Sequence, residues 1–267
     1  MKKISLIIVA LLFALFLCSA SPPNEHLKYG IPGTCSTCQT LYREGYVVCE
    51  DTAKKVPLWV SYHLTKVYLT SGTEKRANYK FLPDPDLAPG ERATNKDYSK
   101  SGYDKGHMCP AADESRNPTT MQECFYLSNM CPQWPQLNRH PWEQLEVKVR
   151  ALAIKYGEIW VIVGPVFEKN TSTGQFEPEK TLGSDQVWVP WGFYKIVVFN
   201  DKTGQLHALA FQYLNKDDTN DIPAHEVTID DVEQETGLDF FSALPVTDKK
   251  KIENGEVSKE ELNQILN

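Results

Sequence analysis

The sequence predicts an α+β fold, a mixed α/β body around an antiparallel sheet, and three observations predict it. Apolar residues recur at three- and four-residue steps through Trp142, Leu145, Val149, Leu152 and Tyr156, with Gly157 as a stop, which is the pattern of an amphipathic helix. Ahead of it, Leu58, Val60, Tyr62 and Leu64 alternate with Trp59, Ser61 and His63, as in a strand with two dissimilar faces. Behind it come three β-rich runs, Ile159–Phe167, Val187–Phe199 and Leu206–Leu214, separated by turn signals such as Asp201-Lys-Thr-Gly204. Strands before and after a central helix argue for helices packed on an antiparallel sheet.

Taken in order, the chain opens with Lys2 and Lys3, an apolar run from Ile4 to Leu17, and Cys18-Ser19-Ala20 before Ser21-Pro22-Pro23. A charged start, an apolar stretch and a small-residue site read as a signal peptide over residues 1–20, so the expected location is secreted or periplasmic. The run is too short for a comfortable membrane span, and no second long apolar stretch follows, so no stable membrane insertion is expected. Lipoprotein anchoring through Cys18 is the weaker reading, because Leu17 stands where a small residue would be expected.

Residues 21–55 form a cysteine-bearing segment without clear period, 56–245 the main domain, and 246–267 an acidic C-terminal tail. Six cysteines remain after the leader: Cys35, Cys38, Cys49, Cys109, Cys124 and Cys131. An even number in an exported chain favours disulfides, although 15 pairings are open to six cysteines. Cys35-Ser-Thr-Cys38 has rival readings as half a zinc site or a redox pair, but no second ligand pair with metal-like spacing accompanies it. Between Thr70 and Ser101, a stretch rich in Pro, Asp, Gly, Asn and Lys predicts a long surface loop. Near the end, Thr228-Ile-Asp-Asp231 resembles a helix capping box with Gly237 as its stop.

Charge is uneven. The whole chain carries −7, yet residues 217–263 alone hold 14 acidic and 4 basic side chains. The body ahead of them is close to neutral. Such a balance predicts weak, transient, salt-sensitive contact with a polyanion, which suits an enzyme that must release its products better than it suits a tight binder.

The informative block is Tyr103-Asp104-Lys105-Gly106-His107-Met108-Cys109-Pro110-Ala111. Glycine before histidine allows a sharp backbone turn, and Pro110 keeps the following chain out of a helix. About thirty residues later, Leu137-Asn138-Arg139-His140-Pro141-Trp142-Glu143-Gln144-Leu145-Glu146 opens the amphipathic helix. Singly, Asn138 is explained as a cap, Pro141 as a first-turn proline, and Glu143 and Glu146 as solvated acids near a helix N-terminus. Cys109 near His107 invites a thiol nucleophile, but two residues on one extended strand have no assured hydrogen-bond reach. His63, His140, His207 and His225 share no ligand spacing.

Together, Asp-Lys-Gly-His, then Leu-Ser128-Asn129, then Leu-Asn138 with Trp142 and Glu146 beyond it, resemble the DNA/RNA non-specific endonuclease family, which includes mitochondrial endonuclease G. The resemblance runs from about Pro57 to Phe241 and takes in Ile222-Pro-Ala-His-Glu226. It implies a ββα-metal fold in which a hairpin carries a histidine and a helix carries a metal ligand. By position, His107 is then the general base and Asn138 the sole protein ligand of Mg²⁺, or of Mn²⁺ in its place. Glu146 holds a metal-bound water. Eight helical residues at 1.5 Å each separate Asn138 from Glu146 by about 12 Å along the axis, which argues against direct coordination by both.

Arg76 lies where the family has a phosphate-binding arginine, with a solvated loop charge as the rival reading. Lys105 stands in place of the usual arginine, keeping the charge for substrate binding but losing the bidentate fork. Asn129 is placed among the substrate-binding residues in a supporting role, with a purely structural role as the rival reading. The resemblance further implies DNA and RNA as substrates, 5′-phosphate products and, in many members, a homodimer. Two other readings remain open: a catalytically inactive nucleic-acid-binding relative, which would retain DNA without cutting it, and a disulfide-stapled extracellular interaction protein, which would bind neither ion nor polynucleotide.

Overall fold

A computed structural model describes residues 24–217 and 219–253. The leader at 1–20 and Cys18 lie outside the described residues, as does most of the acidic tail. Strands β1 (Cys38–Tyr42), β2 (Val47–Asp51) and β3 (Val56–Thr65) come first, then short helices α1 (Lys66–Ser71) and α2 (Asn95–Tyr98). The central stretch holds β4 (Asp104–His107), α3 (Pro118–Cys124), β5 (Met130–Gln133), α4 (Pro135–Arg139) and α5 (Pro141–Tyr156). After β6 (Glu158–Val166) come the short strands β7 (Glu168–Lys169), β8 (Phe176–Glu177), β9 (Lys180–Leu182) and β10 (Val187–Val189). The long β11 (Gly192–Asn200) and β12 (Leu206–Leu214) precede β13 (Glu226–Val227), α6 (Ile229–Thr236) and α7 (Val246–Glu253).

Seven strands form one sheet in the order β1-β2-β3-β6-β11-β12-β13, each neighbour antiparallel to the next. Alternation along the central strands sends side chains to two cores. One face carries Val60, Tyr62, Val161, Val163, Phe193, Val197 and Phe211, which pack with Trp142, Leu145, Val149 and Leu152 of α5. The other face carries Trp59, Trp160, Ile162, Tyr194 and Ile196, covered by Ile229 and Val232 of α6 and by Phe240 and Ile252. Each fully buried apolar side chain contributes about 1.5–3 kcal/mol, so the α5 stripe alone anchors that helix to the sheet.

Local chemistry explains the boundaries. α5 starts with Pro141 at its first position and stops at Gly157, whose φ of 94° suits glycine. Thr228 and Asp231 exchange hydrogen bonds as a capping box, and Gly237 ends α6 in the left-handed region. The run at 187–199 is two strands rather than one, parted at Pro190, which has no N–H for a ladder. The hairpin β1–β2 arises where no period is visible, because all five β2 residues are buried, including Glu50 and Asp51.

Two expectations are corrected. Asn138 and Glu146 do not share a helix: His140, with φ −130° and ψ −92°, breaks the chain between α4 and α5, so the 12 Å separation does not apply. Nor do the six cysteines form a disulfide framework. Among the described residues only Cys35 and Cys38 are joined, which removes them as zinc-ligating thiolates. Cys49, Cys109, Cys124 and Cys131 are free and buried, packing as small apolar side chains. No helix of the described residues is long and apolar enough to cross a membrane.

Glu114 is buried beside Cys109, whose Sγ lies 3.5 Å from Oε1, and burial pushes its carboxyl up to about 8. Folded chain therefore binds this proton more tightly than unfolded chain. The resulting stability is present in full below the ordinary value of about 4.3 and is lost as pH climbs towards 8. Glu114→Gln, which cannot ionise, is expected to raise Tm by about 5–10 °C at pH 8 and by about 2 °C or less at pH 5. Thermal melts at the two pH values check this, and equal shifts would remove the buried carboxyl as the cause.

Candidate active site

β4 and β5 form a two-stranded antiparallel ribbon with His107 opposite Met130 and Gly106 opposite Cys131. Glycine is required before the histidine, because a Cβ at 106 would overlap the side chain of buried Gln133. β5 leads directly into α4, which returns Asn138 to the start of the ribbon. There Asn138 Nδ2 donates to Asp104 Oδ2 at 2.9 Å. Asp104 also accepts from Arg139, at 2.8 Å from Nε and 2.6 Å from Nη2. Burial opposes ionisation of Asp104, but the bonds from Arg139 and Asn138 outweigh it and hold the carboxyl below its usual range. With its nitrogen committed to Asp104, the carboxamide of Asn138 has a fixed orientation, and its oxygen accepts no hydrogen bond from the described residues.

A cleft of about 480 Å³ opens over this ribbon, lined by Arg76, Lys105, His107, Asn138 and Glu146 together with Asp104 and Arg150. His107 is 7% exposed and sits between Phe81 and Phe125, with ring centroids 5.5 and 5.2 Å away. Its Nε2 is buried without a hydrogen bond among the described residues. Burial first, and then the nearby Arg76 guanidinium, push the imidazole down to about 3, so it is neutral at any ordinary pH.

Glu146 reaches the cleft from α5, its Oε1 4.0 Å from Lys195 Nζ. Burial pushes its carboxyl up to about 7, against the pull of Lys195 and with the push of Asp113. Lys195 is wholly buried on β11, its Nζ 4.6 Å from the centre of the Trp142 ring, and burial lowers its affinity for a proton. Behind Glu146, Arg150 Nη1 lies 3.0 Å from Asp113 Oδ1, and Tyr62 donates to Asp113 Oδ2 at 3.2 Å. Lys105 lies over the rings of Phe81 and Tyr98, and partial burial pulls its ammonium below the usual lysine range.

Five residues marked by the sequence thus meet in one cleft, and one does not. Asn129 is fully buried behind the ribbon: its Oδ1 accepts from Cys109 N–H at 2.9 Å, and its Nδ2 donates to the carbonyls of Cys109 and Cys124. The expectation that it touches substrate is therefore corrected. It staples the backbone just after His107 to the end of α3.

Asp104, Arg150, Asp113 and Lys195 carry charge at the site without having been singled out. Lys195 had a signal, as a single lysine inside the apolar run Gly192–Phe199, and Arg150 stands four residues after Glu146 on one helix face. Asp104 had only its adjacency to the histidine block.

The DNA/RNA non-specific endonuclease family model matches residues 22–247. Nuclease C1 of Cunninghamella echinulata var. echinulata is 36% identical over 85% of this chain and 92% of its own length. Endonuclease G, mitochondrial, of Bos taurus is 33% identical over 82% of this chain and 73% of its own length. A solved structure of an EndoG/EndoGI complex superposes with a TM-score of 0.78 at 31% identity, covering 90% of this chain and 100% of that one. The ββα-metal arrangement expected of the ribbon and the helix after it is thereby shown. The expectation of a secreted or periplasmic protein is corrected: the Bos taurus relative and others like it are named as mitochondrial nucleases, not as secreted ones. With the family model spanning most of the sequence and relatives above 30% identity over more than four fifths of it, this chain belongs to the DNA/RNA non-specific endonuclease family.

Proposed function

We propose that the chain hydrolyses phosphodiester bonds of both DNA and RNA with the help of Mg²⁺, leaving 5′-phosphate ends, and that His107 is the general base. One observation carries this: Arg76 from a short 3-10 helix, His107 from a strand, and Asn138 and Glu146 from two α-helices line the same cleft. The donors suit a hard divalent cation, since Asn138 offers a carboxamide oxygen with no other partner among the described residues and Glu146 a carboxylate. Asn138 would hold the ion, which when bound neutralises charge developing on the phosphate and the departing oxygen.

The chain's own groups supply the rest. Arg76 clamps the scissile phosphate, and Lys105 adds positive charge to the cleft floor. The neutral imidazole of His107 accepts the proton of the attacking water. Burial and the unopposed Arg76 guanidinium keep its basicity low. A phosphate docked at Arg76 offsets the guanidinium field and raises that basicity when substrate is present. Glu146 accepts hydrogen bonds from water in the cleft, and Lys195 behind it favours the ionised carboxylate.

Plasmid DNA and a long RNA, each incubated with Mg²⁺, test the proposal. Both are expected to be cut internally, EDTA to stop the reaction, and the fragments to be substrates for a 5′-phosphate-dependent exonuclease. Intact DNA and RNA after prolonged incubation would overturn it.

A further inference from the structure

Trp134 caps the N-terminus of α4, one turn before Asn138, whose backbone N–H donates to the Trp134 carbonyl at 2.9 Å. Its backbone is held rigidly: the N–H donates at 2.8 Å to Oδ1 of buried Asn215, whose Nδ2 in turn donates to the carbonyls of Pro132 and Pro190. Its indole belongs to neither core of the sheet, is 38% exposed, and meets the edge of Tyr103 with centroids 6.2 Å apart. Tyr103 lines the cleft. On that ring lies Lys180, with Nζ 4.6 Å from the centroid and no salt-bridge partner among the described residues. Tyr103 thus lines the cleft with the Trp134 indole against its edge and Lys180 over its ring, and Trp134 itself stands about one helical turn, roughly 6 Å along the axis, before Asn138.

We infer that Trp134 and Tyr103 form a stacking platform for an unpaired base next to the scissile phosphate, with Lys180 on the neighbouring phosphate. This rests on the nuclease function proposed above and extends it to a preference for single-stranded stretches. Three features favour a nucleic-acid base over a second copy of the chain as the occupant. The platform is continuous with the cleft that takes the substrate. It joins aromatic faces to a cation, the combination that single-strand-binding grooves use, because every base has a π face and every nucleotide a phosphate. And the body of the chain is near neutral, so charge alone offers little hold on a polyanion, whereas stacking does not depend on net charge.

A duplex keeps its bases paired and stacked internally, so it has none to give the platform without melting. The contact therefore separates substrates. Trp134→Ala is expected to raise KM for a single-stranded oligonucleotide about tenfold. On duplex of the same sequence, KM should stay within about twofold, as should kcat on both. Trp134→Phe, which keeps a flat apolar face, should recover most of the loss.

An oligonucleotide with one abasic sugar at the position stacked on the platform sharpens the test. Wild type should bind it about tenfold more weakly than the intact strand, and Trp134→Ala should bind the two alike. Binding is read by fluorescence anisotropy in EDTA, so that no cleavage intervenes. The salt dependence of log Kd should keep its slope in Trp134→Ala and become shallower in Lys180→Ala, because only the second removes a phosphate contact.

Equal KM losses on single strand and duplex would overturn the platform. So would an unchanged KM, or a solution mass for Trp134→Ala that is half the wild-type value, which would make this face a contact between copies. If wild type cuts no substrate at all, the proposed function fails instead, and anisotropy in EDTA still reports on Trp134.

Discussion

His107→Ala is expected to lower kcat by about 10²–10⁴ on DNA and RNA alike, with KM changed by no more than about threefold. The size follows from the role proposed for the imidazole, which acts on the proton of water in the transition state and holds no part of the substrate in the ground state. Loss of the ring also leaves a gap between Phe81 and Phe125, so some loss of stability is expected with it. His107→Gln fills more of that space and still lacks a base in the right place. Similar kcat losses in both variants, with Tm restored in the second, would separate chemistry from packing. The pH profile gives a second, independent readout. In the free enzyme His107 is already neutral above about pH 3, so it places no acid limb in the neutral range. Glu146, pushed up to about 7, does: below that value it is protonated and uncharged, and kcat/KM is expected to fall tenfold per pH unit. Because cation and proton compete for the same negative charge, the limb should move to lower pH as Mg²⁺ is raised. Glu146→Gln should abolish the limb. A limb near pH 6 that persists in Glu146→Gln and disappears in His107→Gln would assign it to the imidazole and contradict the electrostatics described here.

How much of this was legible in the sequence depends on whether a residue's role is local. α5 was readable end to end because its apolar stripe, its first-position proline and its stop glycine are all encoded within seventeen residues. β3, β6 and β12 announced themselves in the same way, as did the capping box at Thr228. The hairpin β1–β2 was not readable, since a strand buried on both faces has no alternation to show, and its buried Glu50 and Asp51 look like surface residues. The site divides along the same line. His107, Asn138 and Glu146 stood out through order and spacing. Asn129 was misjudged because only the tertiary structure shows that its amide is fully occupied by the backbone of Cys109 and Cys124. The disulfide count failed for a related reason: thiols packed in a core have the same spelling as thiols paired across a surface. Asp104 and Lys195 were missed because each acts through a partner far along the chain, Asn138 for one and Glu146 for the other.

That dependence can be measured. Asn138→Ala is expected to raise the Mg²⁺ concentration needed for half-maximal rate by about 100-fold and to lower the rate at saturating ion, since the variant retains no protein oxygen in that place. Asp104 would act on a bound ion only through the carboxamide. It accepts the Asn138 N–H at 2.9 Å, and without a full acceptor there the amide is free to turn its nitrogen toward the cleft. Asp104→Asn is therefore expected to cost about 10–100-fold in ion affinity, the usual range for residues that orient a ligand. Asp104 also accepts twice from Arg139, so a general loosening of α4 is the competing explanation. The double variant decides between them. If Asp104 works by aiming Asn138, then once the carboxamide is gone the aspartate has nothing left to aim, and Asp104→Asn added to Asn138→Ala should change ion affinity by less than about twofold. If instead it holds α4 in place, its loss would lower Tm in both backgrounds, and the two penalties on ion binding, measured by titration calorimetry, would multiply.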